Sequence, residues 1–410
     1  MSISGALATA VSALSAQSNA FSNISNNLAN VSTTGYKAST TSFVSLLSSQ
    51  STDASSSGSV AANTTYNNTD QGVLVTSSDD MDLAIEGEGF FSISKDLDGT
   101  DLLYTRAGDF DVDDEGYIVG SGGYYLMGWA TDEDGTVVSD TSSTGLSAIN
   151  VDEITSTVAA TTEMTITGNL PADAAVGDSF TTTTEIYDSL GSSNTATLTY
   201  TKTADNTWTA VVTTDSGTVT SSDISLTFNE DGTIDSATPT TLTIEGWDSG
   251  AADSSVEINF GTSGDTDGLV QYDSGEDDPT LTMAVTQDGL PLGNLTSISI
   301  DDDGSVIASF DNGDEMTIAK IPVATFANSN GLTQVTGTIY TANLDSGVAS
   351  FYIAGTSGTG TIAGGMLESS TTDTSTEFSN MMTAQQAYSS AAQVMTAANE
   401  LYDTLLNAVR

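Results

Sequence analysis

Both ends of this chain carry the same seven-residue hydrophobic rhythm. Ile3, Ala10, Gln17, Ile24 and Val31 are spaced by seven, and Leu7, Leu14, Phe21 and Leu28 form a second row offset by four. At the C-terminus, Phe378, Gln385, Ala392, Asn399 and Leu406 form one row, and Met381, Tyr388, Met395, Tyr402 and Val409 the other. Two rows offset in this way are the a and d seam of a coiled coil. A pair of helices lying on a globular core would also fit. Two features favour helix-on-helix packing between copies. A straight seam matches another helix along its full length better than it matches a curved core. The N-terminal segment is also a poor helix former. Eleven of residues 3–31 are Ser or Asn, each about 0.5 kcal/mol worse than Ala, so about 5 kcal/mol opposes the helix. A lone helix of this length is marginal even with good formers. The ends are therefore expected to order on packing, with Gln17, Gln385 and Asn399 fixing the register.

The charge follows the same division. The chain of 410 residues has 55 acidic and 6 basic side chains and a formal net charge of −49. Residues 1–50 hold Lys37 and no acid, and residues 378–410 hold Glu400, Asp403 and Arg410, so the body between them carries the whole excess. Near-neutral ends can pack on copies of themselves, while an acidic body stays hydrated. The same excess argues against nucleic acid or an anionic membrane surface as partner. The Asp excess also suits a saline habitat. No basic n-region with an apolar core opens the chain, and no run of 18 apolar residues suits direct membrane insertion. Export that cuts no signal, or a cytoplasmic place, is expected.

Between the N-terminal rows and the first strands lies a Ser/Thr-rich stretch, residues 32–69, with low complexity at Ser48–Ser59. It reads either as a flexible linker or as an arm that orders between neighbouring subunits. From about 72 to 365 the chain reads as β. Short runs such as Thr195–Lys202, Thr207–Thr213 and Thr241–Trp247 alternate with turn dipeptides. Asp-Gly at 98–99, 134–135, 231–232, 267–268, 288–289 and 303–304, with Asn312-Gly313, signals two-residue type I′ hairpins. An antiparallel sandwich or barrel-like body is expected, with Trp129, Trp208 and Trp247 as core anchors.

The residue inventory removes most chemistry. There is no Cys and no His, hence no disulfide framework, thiolate site or Ser-His-Asp triad. Asp109, Asp111 and Asp113 alternate as an EF-hand loop begins, but Asp114 stands where that loop needs Gly and no flanking helix pattern exists. Pairs such as Asp79-Asp80 or Glu86 and Glu88 arise readily among so many acids. No catalytic residue, metal site or cofactor is expected.

Several separated motifs resemble the bacterial flagellar rod and hook axial proteins. Ser25-Asn26-Asn27-Leu28-Ala29-Asn30-Val31-Ser32-Thr33-Thr34-Gly35-Tyr36-Lys37 resembles their N-terminal signature. Leu83–Phe91, Tyr104-Thr105-Arg106-Ala107-Gly108-Asp109-Phe110 and Gly122–Trp129 resemble their first body domain, and Ala324–Asn328 with Gly331-Leu332 their C-terminal part. Ile186-Tyr187-Asp188-Ser189-Leu190-Gly191, Thr203–Trp208, Leu226–Gly232 and Thr286–Gly289 are similar to the outer domain of hook members, and distal rod members lack a segment of this size there.

The resemblance implies a mainly β fold, with two antiparallel β domains in a radial row and the terminal helices forming an inner coiled coil. It divides the chain into residues 1–30 with 378–410 as the helical part and 31–71 with 366–377 as connector. Residues 72–147 with 281–365 are then a first β domain, and 148–280 an outer one. It implies a hook subunit that polymerises into a flexible curved tube carrying motor torque to the filament. The heptad residues named above would be the packing positions. Implied partners are copies of itself, the distal rod, hook cap and hook–filament junction proteins and the type III export apparatus, in an extracellular flagellum. A distal rod subunit and a secreted acidic β-rich adhesin are the alternative readings.

Overall fold

The computed structural model describes residues 3–46, 59–132, 135–138, 143–152, 154, 156–221, 223–276 and 279–408. The low-complexity segment up to residue 58 lies outside them. Two helices bracket a chain of short strands: α1 (Ile3–Ala29) at one end and α2 (Thr374–Ala408) at the other. Among the described residues, no helix is long and apolar enough to cross a membrane. The chain separates into two compact units. One holds 1–154, 298–308 and 316–410, and the other holds 155–297 and 309–315.

In the first unit α1 leads to an antiparallel pair, β1 (Ser39–Leu46) and β2 (Ser59–Tyr66). The β-branched Thr and Val and the ring of Phe43 favour extended backbone here, although neither strand alternates and Phe43 and Val44 are both exposed. The core of the unit is aliphatic, with Leu83, Ile85, Leu126, Val306, Ile321 and Ile362 fully buried. Beside it Phe90 meets Tyr340 edge-on at 6.0 Å and Tyr104 meets Phe326 at 4.8 Å. The outgoing and returning chain pair directly: Leu83–Glu86 with Thr361–Gly364, and Leu74–Thr76 with Met366–Glu368.

The second unit sets a five-stranded antiparallel meander, from Ser179–Tyr187 to Ile234–Thr238, and a six-stranded sheet around one core. Trp208, Tyr200, Leu198 and Leu226 come from the meander, and Met164, Ile166 and Leu170 from the other sheet. The expected purely antiparallel arrangement is corrected here. Glu163–Pro171 pairs in parallel with Ser254–Asn259 and with Leu269–Tyr272, while Thr282–Gln287 takes its other edge. The chain thus runs twice along one edge and loops out over 260–268. Gly268 and Gly261 make this possible, because a Cβ on Gly268 would lie 2.2 Å from the Phe260 carbonyl oxygen. Asp267-Gly268 is therefore a bulged loop and not a hairpin. All three Trp are buried. Trp208 Nε1 donates to Gln271 Oε1 at 3.1 Å and Trp247 Nε1 to Ser254 Oγ at 3.1 Å.

The turns also differ in type from the expected I′ form. Asp98, Asp231, Asp267, Asp288, Asp303 and Asn312 all keep negative φ, and Asp134 lies outside the described residues. At Asn229–Thr233, Asp301–Ser305 and Phe310–Asp314 the first N–H donates to the fifth carbonyl, and the fourth residue's N–H donates back to the first carbonyl. That fourth residue is a glycine at positive φ, +84° at Gly232 and +83° at Gly304. This is a type I turn closed by a glycine bulge. It needs left-handed backbone at one position only, so Asp before Gly pays no steric penalty. An acid at the first position adds a cap: Asp113 Oδ1 takes the N–H of Glu115 at 3.1 Å and of Tyr117 at 2.7 Å. The carboxylate that resembled the start of a calcium loop closes a hairpin.

Candidate functional site

The helix pair and the segment leaving it gather the sequence features not absorbed by the β cores. α1 packs on α2 and on the β1–β2 pair. Apart from Ile24, its buried side chains are small or polar: Ala10, Ala16, Ala20, Asn23 and Asn27. Of the heptad residues, Ala10 and Ile24 are buried, Leu7, Leu14, Gln17, Leu28 and Val31 are half-buried, and Phe21 is 38% exposed. On α2 the inward row stands one residue before the predicted one. Glu377, Ala384 and Ala398 are buried, with Met381, Ala391, Ala392 and Met395 half-buried. Gln385 and Asn399 are exposed, as are Phe378 at 52%, Tyr388 at 49% and Tyr402 at 55%. Alanine lets two helices approach closely, so within one chain the small residues take the seam and the rings are left outside. Val409 and the side chains of Ile3 and Leu406 lie outside the described residues.

Where α1 ends, Asn27 ties three elements together. Its amide nitrogen donates to the Ser39 carbonyl at 2.8 Å and to Glu377 Oε1 at 2.9 Å. Its Oδ1 accepts the Tyr36 hydroxyl at 3.2 Å and the Ser39 N–H at 3.1 Å. At 1% exposure this amide uses all four of its hydrogen-bonding valences, which no apolar or single-function side chain could do. Gly35, at φ +65°, lets the turn press on Arg106 and Ala107; a Cβ there would lie 2.4 Å from the Ala107 nitrogen.

Next to it sits a buried ionic cluster. Lys37 Nζ lies 2.6 Å from Glu368 Oε1, and Arg106 lies 3.5 Å from Glu368 Oε2. The Gly72 N–H also donates to Glu368 Oε1 at 2.6 Å. Two cations share one anion, so backbone carbonyls take up the surplus. Lys37 donates to Asp70, and Arg106 to Ile85 at 3.3 Å and Gly87 at 2.7 Å. Burial, and then the nearby Arg106 charge, lower the Lys37 pKa; Glu368 works the other way. Three segments far apart in sequence are thereby locked at one point: the outgoing connector, the first body strands and the returning chain. Sequence reasoning singled out Lys37 and Arg106 only within motifs and missed Glu368. The available signal was scarcity, since the chain has only six bases.

The other described bases also have contacts within the chain. Lys202 Nζ donates to the carbonyls of Ala172 at 2.6 Å and Ala174 at 2.9 Å, Lys320 meets Asp303 at 2.7 Å, and Lys95 stands 5.1 Å over the Tyr124 ring. Arg410 lies outside the described residues. In the second unit the Ile186–Gly191 motif has a local task. Buried Asp188 accepts Ser249 Oγ at 2.5 Å and the N–H groups of Leu190 at 2.9 Å and Ser192 at 3.0 Å. Burial alone would raise its pKa, but these bonds hold it below the usual carboxylate range.

Four family descriptions match in chain order. They are "Flagella basal body rod protein" over 7–37, "Flagellar hook protein FlgE/F/G D1 domain" over 84–169, "Flagellar basal body protein FlaE D2 domain" over 150–290 and "Flagellar basal body rod FlgEFG protein C-terminal" over 363–408. The flagellar hook protein FlgE of Rhizobium meliloti is 32% identical over the full length of both chains. This chain belongs to the flagellar hook protein family. The hook protein of Escherichia coli K12 is 30% identical over 80% of this chain and 82% of its own. The crystal structure of Helicobacter pylori flagellar hook protein FlgE2 covers 72% of this chain and 100% of its own, at 15% identity and a TM-score of 0.44. Hook family membership makes this chain a structural component of the flagellar hook, serving motility. The described clasp at Asn27, Lys37, Arg106 and Glu368 lies within or beside the rod, D1 and C-terminal matches.

Proposed function

We propose that this chain is a non-enzymatic subunit that polymerises with itself into a curved, bendable tube outside the cell and passes motor torque to the filament. The carrying observation is the outward row of rings on the helix pair. Phe21, Phe378, Tyr388 and Tyr402 are each 38–55% exposed, on helices that are otherwise almost uncharged. Burying such rings against copies of the same helices is strongly favourable, at about 25 cal/mol per Å². Residues 1–30 with 378–410 then supply cohesion and resistance to twist. Residues 148–280 supply polar contacts that slide, since their strands expose Ser, Thr and Glu in alternation, as along Ser179–Tyr187, and weak hydrated contacts exchange readily. Residues 31–71 with 366–377 connect the two, and 72–147 with 281–365 carry load between them. Export through the type III apparatus, and end contacts with the distal rod, cap and junction proteins, complete this reading.

Phe21→Asp tests it. The ring lies on the helix pair and in neither β core, so the two β cores should melt as in the parent. Electron microscopy after salting-out should show tubes for the parent and none for the variant. Tubes from Phe21→Asp at the parent's protein concentration would remove the helix row from the assembly.

A further inference from the structure

Between α1, α2 and β1 lies a cavity of about 380 Å³, walled in part by Asn23, Ile24, Thr41, Glu377, Asn380 and Ala384. Glu377 stands in the first turn of α2 and is 8% exposed. Its Oε1 takes the Asn27 amide at 2.9 Å, whereas its Oε2 is buried without a hydrogen-bond partner. An unpartnered charged acceptor in such a place is costly. A glutamine would keep the bond to Asn27 without a buried charge. The carboxylate fits a different role, as a socket beside the cavity for a donor that enters there.

We propose that this socket receives a neutral hydrogen-bond donor, an amide or a hydroxyl, from α1 of a second copy. The inference rests on the reading that helices of one copy pack on those of another. Three observations select this occupant. Four of the five described bases are bound within the chain, to Glu368, Asp303 or backbone carbonyls, and Lys95 stands over the Tyr124 ring. The outer face of α1 presents uncharged donors: Ser15, Ser18, Asn19, Ser22 and Asn26 are exposed. The cavity also shares Gln17 and Ala384 with a groove that reaches Phe21 and Tyr388, so a helix covering those rings runs past the socket. The Ser and Asn content that weakens α1 as a lone helix thereby acquires a purpose, because the donors are needed by a neighbour.

Glu377→Gln isolates the point, since it can keep the oxygen that Asn27 uses and turn the open acceptor into a donor. The critical concentration for polymerisation, read by sedimentation, should rise about 5- to 10-fold, because the donor's own oxygen can turn to accept from the new amide and only the charge assistance is lost. Amide exchange of residues 374–384 in the unpolymerised protein should match the parent. An unchanged critical concentration overturns the inference alone. Altered exchange in the unpolymerised variant also overturns it, because the carboxylate then serves its own chain. Parent polymerisation that requires one particular alkali cation overturns it as well, because an ion then fills the socket. A parent chain that forms no polymer overturns the proposed function together with the inference.

Discussion

In residues 155–297 the large apolar side chains of two sheets close on one another. Trp208, Tyr200, Leu198, Met164 and Ile166 reach zero exposure within a single chain. In α1 and α2 the arrangement is reversed, with alanines turned inward and Phe21, Phe378, Tyr388 and Tyr402 turned out. The first pattern describes a unit that is complete by itself. The second leaves large apolar side chains in water, which the proposed packing on another copy would bury. On the proposed reading, stability and assembly fall to different side chains, so they can be broken separately.

Trp208→Ala should have the largest effect on the self-sufficient side. It removes a fully buried ring and strands Gln271 Oε1, its partner at 3.1 Å. A loss of about 3–5 kcal/mol is expected for that unit. Calorimetry should show its transition lowered while the transition of the other unit stays in place. A single shifted transition for the whole chain would show that the units do not unfold separately.

Glu368→Gln should come next and should act at the clasp. It leaves Lys37 and Arg106 buried with no anion, for which a cost of about 3 kcal/mol or more is expected. Here the destabilisation belongs to the first unit, and urea unfolding followed near Tyr36 and Tyr340 should report it. An unchanged midpoint would mean that the carbonyls of Asp70, Ile85 and Gly87 are enough to hold both cations.

The smallest effect is graded and concerns pH. In the second unit Asp188 and Asp288 are held below the ordinary carboxylate range. Burial opposes this in both, but hydrogen bonds from Ser249, Ser192 and Leu190, and from Glu163 and Thr162, outweigh it. A depressed folded-state pKa gives stability that is fully present above the unfolded value, near 4, and is lost as pH falls through the folded one. Acid should therefore weaken the second unit below about pH 4. Asp188→Asn should flatten that dependence, read as the slope of midpoint against pH. An equally steep slope in the variant would assign the acid sensitivity to other carboxylates.

The rhythm of the two ends was legible because helix periodicity is local, and α1 and α2 form where it places them. It could not say which of two adjacent rows faces inward. That choice depends on the size of the facing helix's residues, and Ala384 and Ala398 take the seam beside the predicted row. Turn positions were visible from Asp-Gly pairs, but the turn type was not. The dipeptide is the same whether one residue or two take positive φ. The parallel edge along Glu163–Pro171 and the meeting of Lys37, Arg106 and Glu368 had no local trace. Each joins segments separated by tens to hundreds of residues. Glu377 escaped notice for a different reason. It lies one residue before Phe378, whose ring dominated the pattern.

With 55 acidic side chains against six basic ones, two such bodies set side by side confront each other as like-charged sheaths of water-swollen acid. Their mutual push reaches about 10 Å in 0.1 M salt and shrinks as salt is added. Ambient brine would therefore act on an array of these bodies as a damper setting, making it springier when dilute and slacker when concentrated.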